Sequence, residues 1–304
     1  MTVNRDTILQ TWDRIRPHII RTPVVVTDTF GPEISFKMEH MQHTGSFKAR
    51  GAVNSVLSMD VPDAGLAAAS GGNHGAAVAW AAGLMGHKAK IFVPDIAGPA
   101  KINLIQSLGA DLEVVPGEYA NAASAVATYA AQTGAAQIHP FDAPDTLNGQ
   151  GTVMAEWDDQ GLDADTILIA VGGGGLIGGA MAWAEDTRKI VGVEPFNAPA
   201  LTRALDQGPD TQVAVSGVAA NALGARQIGR MCYDLATDQN IETVLVTDGA
   251  ITKAQHMLWS KLRQLVEPAG ATALAALLSG AYVPEPGEKV AVLLCGANPA
   301  PSPL

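Results

Sequence analysis

Short runs of β-branched and other apolar residues alternate along this chain with longer, alanine-rich segments that have helical spacing. Strands are predicted at residues 23–27, 34–39, 89–94, 112–115, 166–171, 189–194, 243–247 and 289–295. Helices are predicted at residues 75–85, 99–108, 120–132, 198–207, 251–265 and 269–279. Such alternation is typical of right-handed crossover units, which build parallel sheets. Because the strands are almost continuously apolar, we expect helices to cover both faces of each sheet.

The composition favours a large apolar core and argues against several classes of partner. Of the 304 residues, 47% are hydrophobic and 16% are charged, and this length is typical of about two domains. The formal net charge is −11. Since no basic stripe is present to neutralise phosphates, we expect neither nucleic acid nor a membrane surface as a partner. The two cysteines, Cys232 and Cys295, are too few for a disulfide framework or a zinc site, which favours the cytoplasm.

One uncharged stretch, residues 166–184, is long enough to be considered as a membrane span. Its six glycines fit a buried strand, a loop and a helix better than a span. Residues 1–6 lack the apolar run of a signal peptide. The tail at residues 299–304 is short and proline-rich, so we expect no appended regulatory module.

Four consecutive glycines follow the strand predicted at residues 166–171 and open a helix. The motif consists of Gly172, Gly173, Gly174 and Gly175, followed by Leu176. Without Cβ atoms, successive N–H groups can point towards one anion, and the helix N-terminus adds its dipole. This pattern predicts a phosphate-binding loop, with close packing of the helix on the strand as the alternative.

The same glycines also fit a dinucleotide-binding pattern. Gly173, Gly175 and Gly178 satisfy G-x-G-x-x-G, and Glu194 ends the next predicted strand about twenty residues further on. A nicotinamide-dependent oxidoreductase therefore stays open at this point.

A lysine lies at the start of another predicted helix. Thr44 and Ser46 are its predicted N-caps, and the helix runs through Leu57. The positive end of the helix dipole and the neighbouring Arg50 both disfavour an ammonium at Lys48. Both effects would lower the pKa of Lys48 and make it a better nucleophile. An ordinary solvated lysine is the alternative.

Small and polar residues precede the helix predicted at residues 75–85. The segment reads Ser-Gly-Gly-Asn-His-Gly from Ser70 to Gly75. Free backbone N–H groups, a hydroxyl and an amide meet at the helix start, which suits a carboxylate or a phenolate oxygen. Capping of the helix alone is the alternative.

Together these segments resemble the fold-type II pyridoxal phosphate (PLP) enzymes, in particular the threonine/serine dehydratase and serine racemase branch. The matching motifs lie at residues 46–51, 70–75, 172–176, 267–271 and 295–298. They follow the family order and span almost the whole chain. The resemblance implies an α/β fold with two open, twisted, mostly parallel sheets flanked by helices, as in the β subunit of tryptophan synthase. The cofactor would lie at the carboxyl ends of the strands.

The resemblance also implies the domain organisation and assembly. Residues 1–62 and 138–304 would form a large PLP-binding domain. Residues 63–137 would form a small, mobile domain that closes over the substrate. A small amino acid would be the substrate, and the protein would be a homodimer.

Site residues follow from the same resemblance. Lys48 would be the Schiff-base lysine and the base that removes the α-proton. The cofactor ring would contact Phe47, Asn73 at its 3-oxygen, Glu267, and Cys295 beside the pyridine nitrogen. The cofactor phosphate would bind Gly172, Gly173, Gly174, Gly175 and Leu176. The substrate carboxylate would bind Ser70, Gly71, Gly72, Asn73 and His74.

Three departures from the family patterns bear on the expected reaction. Cys295 replaces the Ser or Thr that the family usually has beside the pyridine nitrogen. A neutral group at this position makes the cofactor ring a weaker electron sink, which favours prompt loss of a β-leaving group. Gly71 replaces the Ser that serine racemases use as a second acid/base. Pro199 and Ala200 replace the acidic residue that would join Glu194 in the racemase cation site, so no metal is expected.

The expected activity is β-elimination from a small β-hydroxy-α-amino acid such as L-threonine, L-serine or 3-hydroxyaspartate, giving a 2-oxo acid and ammonia. A PLP-dependent racemase or β-replacement enzyme is the alternative. Cysteine-synthase-like relatives carry Asn-Thr-Gly at the position of residues 73–75, which disfavours replacement. An NAD(P)-dependent oxidoreductase and a non-catalytic binder are more distant alternatives. Loops 139–142 and 216–222 are expected to set substrate specificity.

Overall fold

Two sheets form the framework of the protein, which a computed structural model describes for residues 2–298. The tail predicted at residues 299–304 lies outside the described residues. The strands are β1 (Val24–Thr27), β2 (Ile34–Lys37), β3 (Leu66–Ala69), β4 (Ala89–Pro94), β5 (Asp111–Val115), β6 (Ala136–Gln137), β7 (Thr166–Ala170), β8 (Lys189–Pro195), β9 (Glu242–Val246) and β10 (Val290–Leu293).

Helices connect these strands and cover the sheets. They are α1 (Arg5–Ile15), α2 (Lys48–Leu57), α3 (Asn73–Leu84), α4 (Pro99–Ser107), α5 (Tyr119–Thr133), α6 (Pro144–Asp159), α7 (Gly175–Ala184), α8 (Ala200–Gln207), α9 (Ala220–Leu223), α10 (Arg230–Asp238), α11 (Asp248–Met257) and α12 (Pro268–Ser279). None of the helices between residues 2 and 298 is both long and apolar enough to cross a bilayer.

Both sheets are mostly parallel, as the alternating pattern predicts. The larger sheet has the order β1-β2-β10-β7-β8-β9, and the smaller sheet has the order β5-β4-β3-β6. Neighbouring strands run parallel throughout, except that β1 and β2 are antiparallel. The predicted fold class is therefore confirmed.

Each face of the smaller sheet has its own apolar layer. Ile91 and Val93 point towards α3 and α4, where they pack with Ile105. Phe92, between them in sequence, packs with Val126 of α5 on the opposite face. This alternation is the period-two pattern of a strand that is covered on both sides.

Helix α2 lies between α6, which packs against the larger sheet's helix α7, and α3, which packs on the smaller sheet. On one side it contacts α6, and on the other side it contacts α3. Ala52, Val53 and Val56 belong to the same apolar cluster as the smaller sheet, although the predicted domain boundaries place them in the large domain. Those boundaries stay a prediction. The packing places Lys48, the first residue of α2, at the junction of the two sheets.

Some predicted elements differ from the structure for identifiable reasons. Strand β3 was not predicted because its sequence, Leu-Ala-Ala-Ala, lacks the β-branched residues typical of strands. The helix predicted at 251–265 ends its regular part at Met257 and continues as a π turn over Leu258–Leu262. Arg263 then adopts a left-handed conformation, with φ of 57°, and stops the helix.

Candidate active site

A cavity of about 410 Å³ lies between the two sheets. Ser70, Pro94, Ala170 and Cys295 line it at or just beyond the carboxyl ends of four strands, which is where open parallel sheets bind ligands. Every residue that the sequence predicts for the site lines this cavity: Phe47, Lys48, Ser70, Gly71, Gly72, Asn73, His74, Gly172, Gly173, Gly174, Gly175, Leu176, Glu267 and Cys295.

Contacts with residues 295–298 hold the segment that precedes Lys48 in place. Ser46 forms an antiparallel bridge with Gly296, and the Phe47 N–H donates to the Cys295 carbonyl at 3.2 Å. Asn298 adds a side-chain hydrogen bond of 2.7 Å from Nδ2 to the Thr44 carbonyl. The start of α2 is thus fixed by the residues that follow β10.

The predicted N-caps of this helix are wrong. Helix α2 begins at Lys48 with Phe47 at the N-cap position, and no side chain caps it. Thr44 lies in a left-handed turn, with φ of 59°, and Ser46 is extended. Both hydroxyl oxygens are buried, and within the described residues neither has a hydrogen-bond partner. Sequence spacing alone could not reveal this turn.

The amine of Lys48 lies in the cavity wall. Its Nζ donates to the Pro140 carbonyl at 2.6 Å. Burial lowers the pKa of Lys48 to about 8, because the ammonium loses its hydration. The pKa of Lys48 is lowered, as predicted, but Arg50 is not the cause. The Arg50 guanidinium is fully buried and neutralised by Glu39 and Glu156.

The glycine loop presents a row of free donors. Between residues 2 and 298, no protein acceptor receives the backbone N–H groups of residues 172–177. The outer side of the loop is closely packed: a Cβ on Gly173 would overlap the Phe141 ring, and one on Gly174 would approach Cys232 Sγ at 2.5 Å. Gly174 also has a φ of 93°. Glycine is therefore required, and the donors are left for an anion such as a phosphate.

A second set of free donors lies at the start of α3. Within the described part of the chain, the N–H groups of Asn73, His74 and Gly75 have no protein acceptor. The Ser70 hydroxyl accepts from the Gly72 N–H at 3.1 Å. These groups are placed as a carboxylate site requires.

The sequence predicts that His74 binds the substrate carboxylate, but its ring already contacts another group. Its Nε2 lies 2.9 Å from the Ile138 carbonyl, so this nitrogen must carry a proton. Burial, with the charge of Lys48 nearby, lowers the pKa of His74 to about 3. The ring is neutral and cannot attract an anion as an imidazolium would, so the backbone N–H is the group that His74 offers.

Glu267, Asn73 and Cys295 form the polar wall beside the lysine segment. The Asn73 Nδ2 donates to Glu267 Oε1 at 2.5 Å, and the Cys295 thiol donates to the Ala269 carbonyl at 3.4 Å. Burial raises the pKa of Glu267 to about 7 and raises the pKa of the Cys295 thiol well above its usual range. Cys295 therefore stays neutral, as the predicted place beside a pyridine nitrogen requires.

The hydrogen bonds of Glu194 argue against the oxidoreductase alternative, in which this carboxylate would bind a ribose. Its carboxylate accepts from the Leu201 N–H at 2.7 Å, the Thr202 N–H at 2.8 Å and the Thr202 hydroxyl at 2.6 Å. It therefore holds the start of α8 and is not available to a ribose hydroxyl. Over residues 2–298, no group of three or more His, Cys, Asp or Glu residues is arranged to hold a metal ion.

Several cavity residues were not predicted. Lys101, Glu118, Tyr119 and Arg226 all line the cavity. Parts of the two loops expected to set specificity also line it, namely residues 140–141 and 220–222. The sequence does carry a signal for Lys101, because it lies in the first turn of a helix that follows a strand, as Lys48 lies in a first turn.

Residues 15–296 match the family of pyridoxal-phosphate dependent enzymes. The chain belongs to this family. It is 34% identical over 295 residues to phenylserine dehydratase of Ralstonia pickettii, covering 94% of this chain and 90% of that protein. It is 34% identical over 293 residues to L-threonine ammonia-lyase of Geobacter sulfurreducens, covering 93% and 73%. The structure of maize serine racemase matches it with a TM-score of 0.92 and 31% identity, covering 98% and 95%.

These matches confirm the predicted cofactor and enzyme class, a PLP-dependent enzyme related to the ammonia-lyases, and they overturn the nicotinamide alternative. The residues present fit PLP. Of the described residues, none accepts a hydrogen bond from the N–H groups of residues 172–177, and an amine with a lowered pKa, Lys48, lines the same cavity. A phosphate and an aldehyde require these two features.

The lowered pKa gives a pH dependence for loading of the cofactor. At pH 8 about half of the Lys48 amines are neutral, whereas an ordinary lysine is neutral in less than about 1% of molecules. Because only the neutral amine attacks an aldehyde, the rate at which apoenzyme acquires its visible PLP band should rise from pH 6.5 and level off above about pH 8. The rate at which free Nα-acetyl-lysine reacts with PLP, the control, should continue to rise beyond pH 9. A profile equal to that control would contradict the assignment.

Proposed function

We propose that this protein is a PLP-dependent ammonia-lyase that eliminates the β-hydroxyl group of a small β-hydroxy-α-amino acid, with a 2-oxo acid and ammonia as products. The observation that carries the proposal is one cavity lined by an amine, Lys48, by the anion-binding loop at residues 172–177 and by the free donors at the start of α3. Relatives named phenylserine dehydratase and L-threonine ammonia-lyase support it.

The cofactor and the chain have separate tasks in this proposal. When bound, PLP withdraws electrons from the α-carbon of the amino acid attached to it. Residues 172–177 hold its phosphate through backbone N–H groups. Asn73, whose Nδ2 donates to Glu267 Oε1, would bind the ring oxygen. A neutral Cys295 beside the ring nitrogen would leave that nitrogen unprotonated, which favours early loss of the β-group over a long-lived carbanion.

Lys48 moves the protons. Because its pKa is about 8, its Nζ can accept the α-proton at neutral pH and then return a proton to the departing hydroxyl oxygen. The Pro140 carbonyl, which accepts from Nζ at 2.6 Å, orients the amine. The start of α3 holds the substrate carboxylate and thereby fixes the α-proton relative to Nζ.

Elimination is favoured over racemisation by the surroundings of Gly71. A racemase needs a second acid/base on the face opposite the lysine. Gly71 has no side chain, and a Cβ at this position would overlap the Cβ of Ala97, with Val93 Cγ1 at 3.4 Å. A methyl group thus occupies the space that a serine side chain would need.

The function is tested with the purified holoenzyme. The protein should show a visible PLP band that borohydride removes. Ammonia and 2-oxo acid release should then be measured with L-threonine, L-serine, 3-hydroxyaspartate and 3-phenylserine. Turnover of at least one of these, with equal yields of the two products, supports the proposal. A stable PLP band with no turnover of any of them would overturn it.

The Gly71 surroundings lead to a sharper expectation. We expect Gly71→Ser alone to produce no D-serine from L-serine, because Ala97 blocks the hydroxyl. The double variant Gly71→Ser/Ala97→Gly should raise D-serine formation about 10-fold or more, measured by chiral chromatography. Ala97→Gly alone is the matched control. Equal racemisation by the single and double serine variants would show that Ala97 does not block the position.

The proposal also includes the cytoplasm as location and a homodimer as the assembly. The acidic composition and two buried, unpaired cysteines support the first, and the resemblance to dehydratases supports the second. Light scattering after size exclusion tests the assembly, and a monomer mass would exclude it.

A further inference from the structure

Lys101 is a buried cation that the proposed reaction has not used. It lies in the first turn of α4 and is 6% exposed. Its single polar contact among the described residues is a long one, 3.4 Å from Nζ to the Asn221 carbonyl. Between residues 2 and 298 no carboxylate lies within 4.0 Å of its Nζ. Burying an ammonium without an anion is costly.

The position of Nζ indicates where an anion would bind. Nζ lies 3.5 Å from the point that a Gly72 Cβ would occupy. Gly72 precedes α3, a helix of 12 residues, whose first three N–H groups lack protein acceptors over the described residues. The ammonium and the helix donors therefore border the same part of the cavity. A carboxylate placed there would satisfy both.

Glu267 does not serve as this anion. Glu267 as a whole is 3% exposed, and its carboxyl group already accepts from Asn73. Its pKa, raised to about 7 by burial, leaves it partly protonated at neutral pH. Glu267 and Lys101 interact through space, but they form no ion pair. Lys101 is therefore left without a carboxylate partner among residues 2–298.

We propose that Lys101 binds the α-carboxylate of the amino-acid substrate together with the N–H groups at the start of α3. This proposal rests on the proposed function, because it names one more substrate-binding residue of the same site. The cofactor phosphate has its own donors at residues 172–177.

The experiment compares three variants of the holoenzyme and two unreactive ligands. Lys101→Met removes the charge at similar length, and Lys101→Arg keeps it. Lys88→Met, which changes an exposed lysine just before β4, is the control. L-Alanine carries an α-carboxylate but no leaving group, and L-alaninamide lacks the carboxylate. Binding of each is followed by calorimetry and by the change in the visible band.

Lys101→Met should weaken L-alanine binding about 10- to 100-fold, the loss expected for a charge-assisted hydrogen bond. L-Alaninamide binding should change less than about 2-fold. KM for every substrate of the panel should rise in parallel, kcat should fall much less, and Lys101→Arg should recover part of the affinity. Lys88→Met should match the wild type.

Several outcomes would overturn the proposal. These are an unchanged affinity of Lys101→Met for L-alanine, equal weakening for L-alaninamide, a loss confined to 3-hydroxyaspartate, and a lowered PLP affinity. The last two would assign Lys101 to a second carboxylate or to the cofactor phosphate. If the wild type does not bind L-alanine, the proposal also fails. Carboxylate-dependent alanine binding without ammonia release would refute only the proposed function.

A stability measurement separates misfolding from loss of binding. Because Lys101→Met replaces a buried, unpaired ammonium with an apolar side chain, the ligand-free variant should unfold at a temperature equal to or above that of the wild type. A lower unfolding temperature would mean that Lys101 has a structural partner, and the proposal would be wrong.

Discussion

Lys48→Ala is expected to remove the visible PLP band and to lower ammonia release by about 10³-fold or more, since the variant loses both the attachment point and the base. The fold should persist. Nζ makes one hydrogen bond, to the Pro140 carbonyl, and the segment around Lys48 is held by backbone contacts to Cys295 and Gly296, which alanine preserves.

The measurement combines absorption spectra, ammonia release and thermal unfolding of the purified variant. Lys88→Ala, at an exposed lysine, is the control and should match the wild type in all three. Ammonia release by Lys48→Ala at more than about a tenth of the wild-type rate would show that another group is the base. Loss of the band together with unfolding would contradict the structural part of the prediction.

Glu156→Ala should cause the largest loss of stability. Lys37, Glu39, Arg50 and Glu156 form a cluster of charges whose side chains are all fully buried. Glu156 accepts from both cations and from the Thr22 N–H. Its removal would leave two buried cations with one carboxylate. We expect the free energy of unfolding to fall by about 3–5 kcal/mol.

Urea unfolding of the apoenzyme measures this loss. Asp234→Ala is the matched control, because it breaks an exposed ion pair with Arg230 and should leave the free energy of unfolding almost unchanged. Equal effects of the two variants would contradict the prediction. Because Arg50 lies in the first turn of α2, Glu156→Ala should also weaken PLP binding by displacing Lys48.

The sequence predicts the strands best where β-branched residues dominate. The strand at Ala89–Pro94 has the bounds that were predicted, and the strands near β7, β8 and β9 are correct within one or two residues. Strand β3 escapes prediction because alanine does not favour a pleated surface by itself. It is a strand because small residues let α3 and α5 pack closely on its two faces.

The candidate site is predictable to a similar extent. Resemblance identifies residues from five separate motifs, and the structure brings all of them to one cavity. The resemblance does not reveal the left-handed turn at Thr44, the neutral ring of His74 or the contact between Gly71 and Ala97. Each of these depends on a tertiary contact or a backbone angle, neither of which has a local signature in the sequence. Lys101 does have a local signal, its place in the first turn of a helix after a strand, but its burial in the cavity wall depends on tertiary contacts.

The hydrogen bond between Asn298 and Thr44 joins residues that are 254 positions apart. At typical translation rates of about 5–20 residues per second, roughly 10–50 s separate the synthesis of these two residues. During that interval the nascent chain already carries its amine but lacks the segment that fixes it. PLP can therefore be bound in the native manner only after β10 and Asn298 have left the ribosome, although Lys48 is synthesised much earlier.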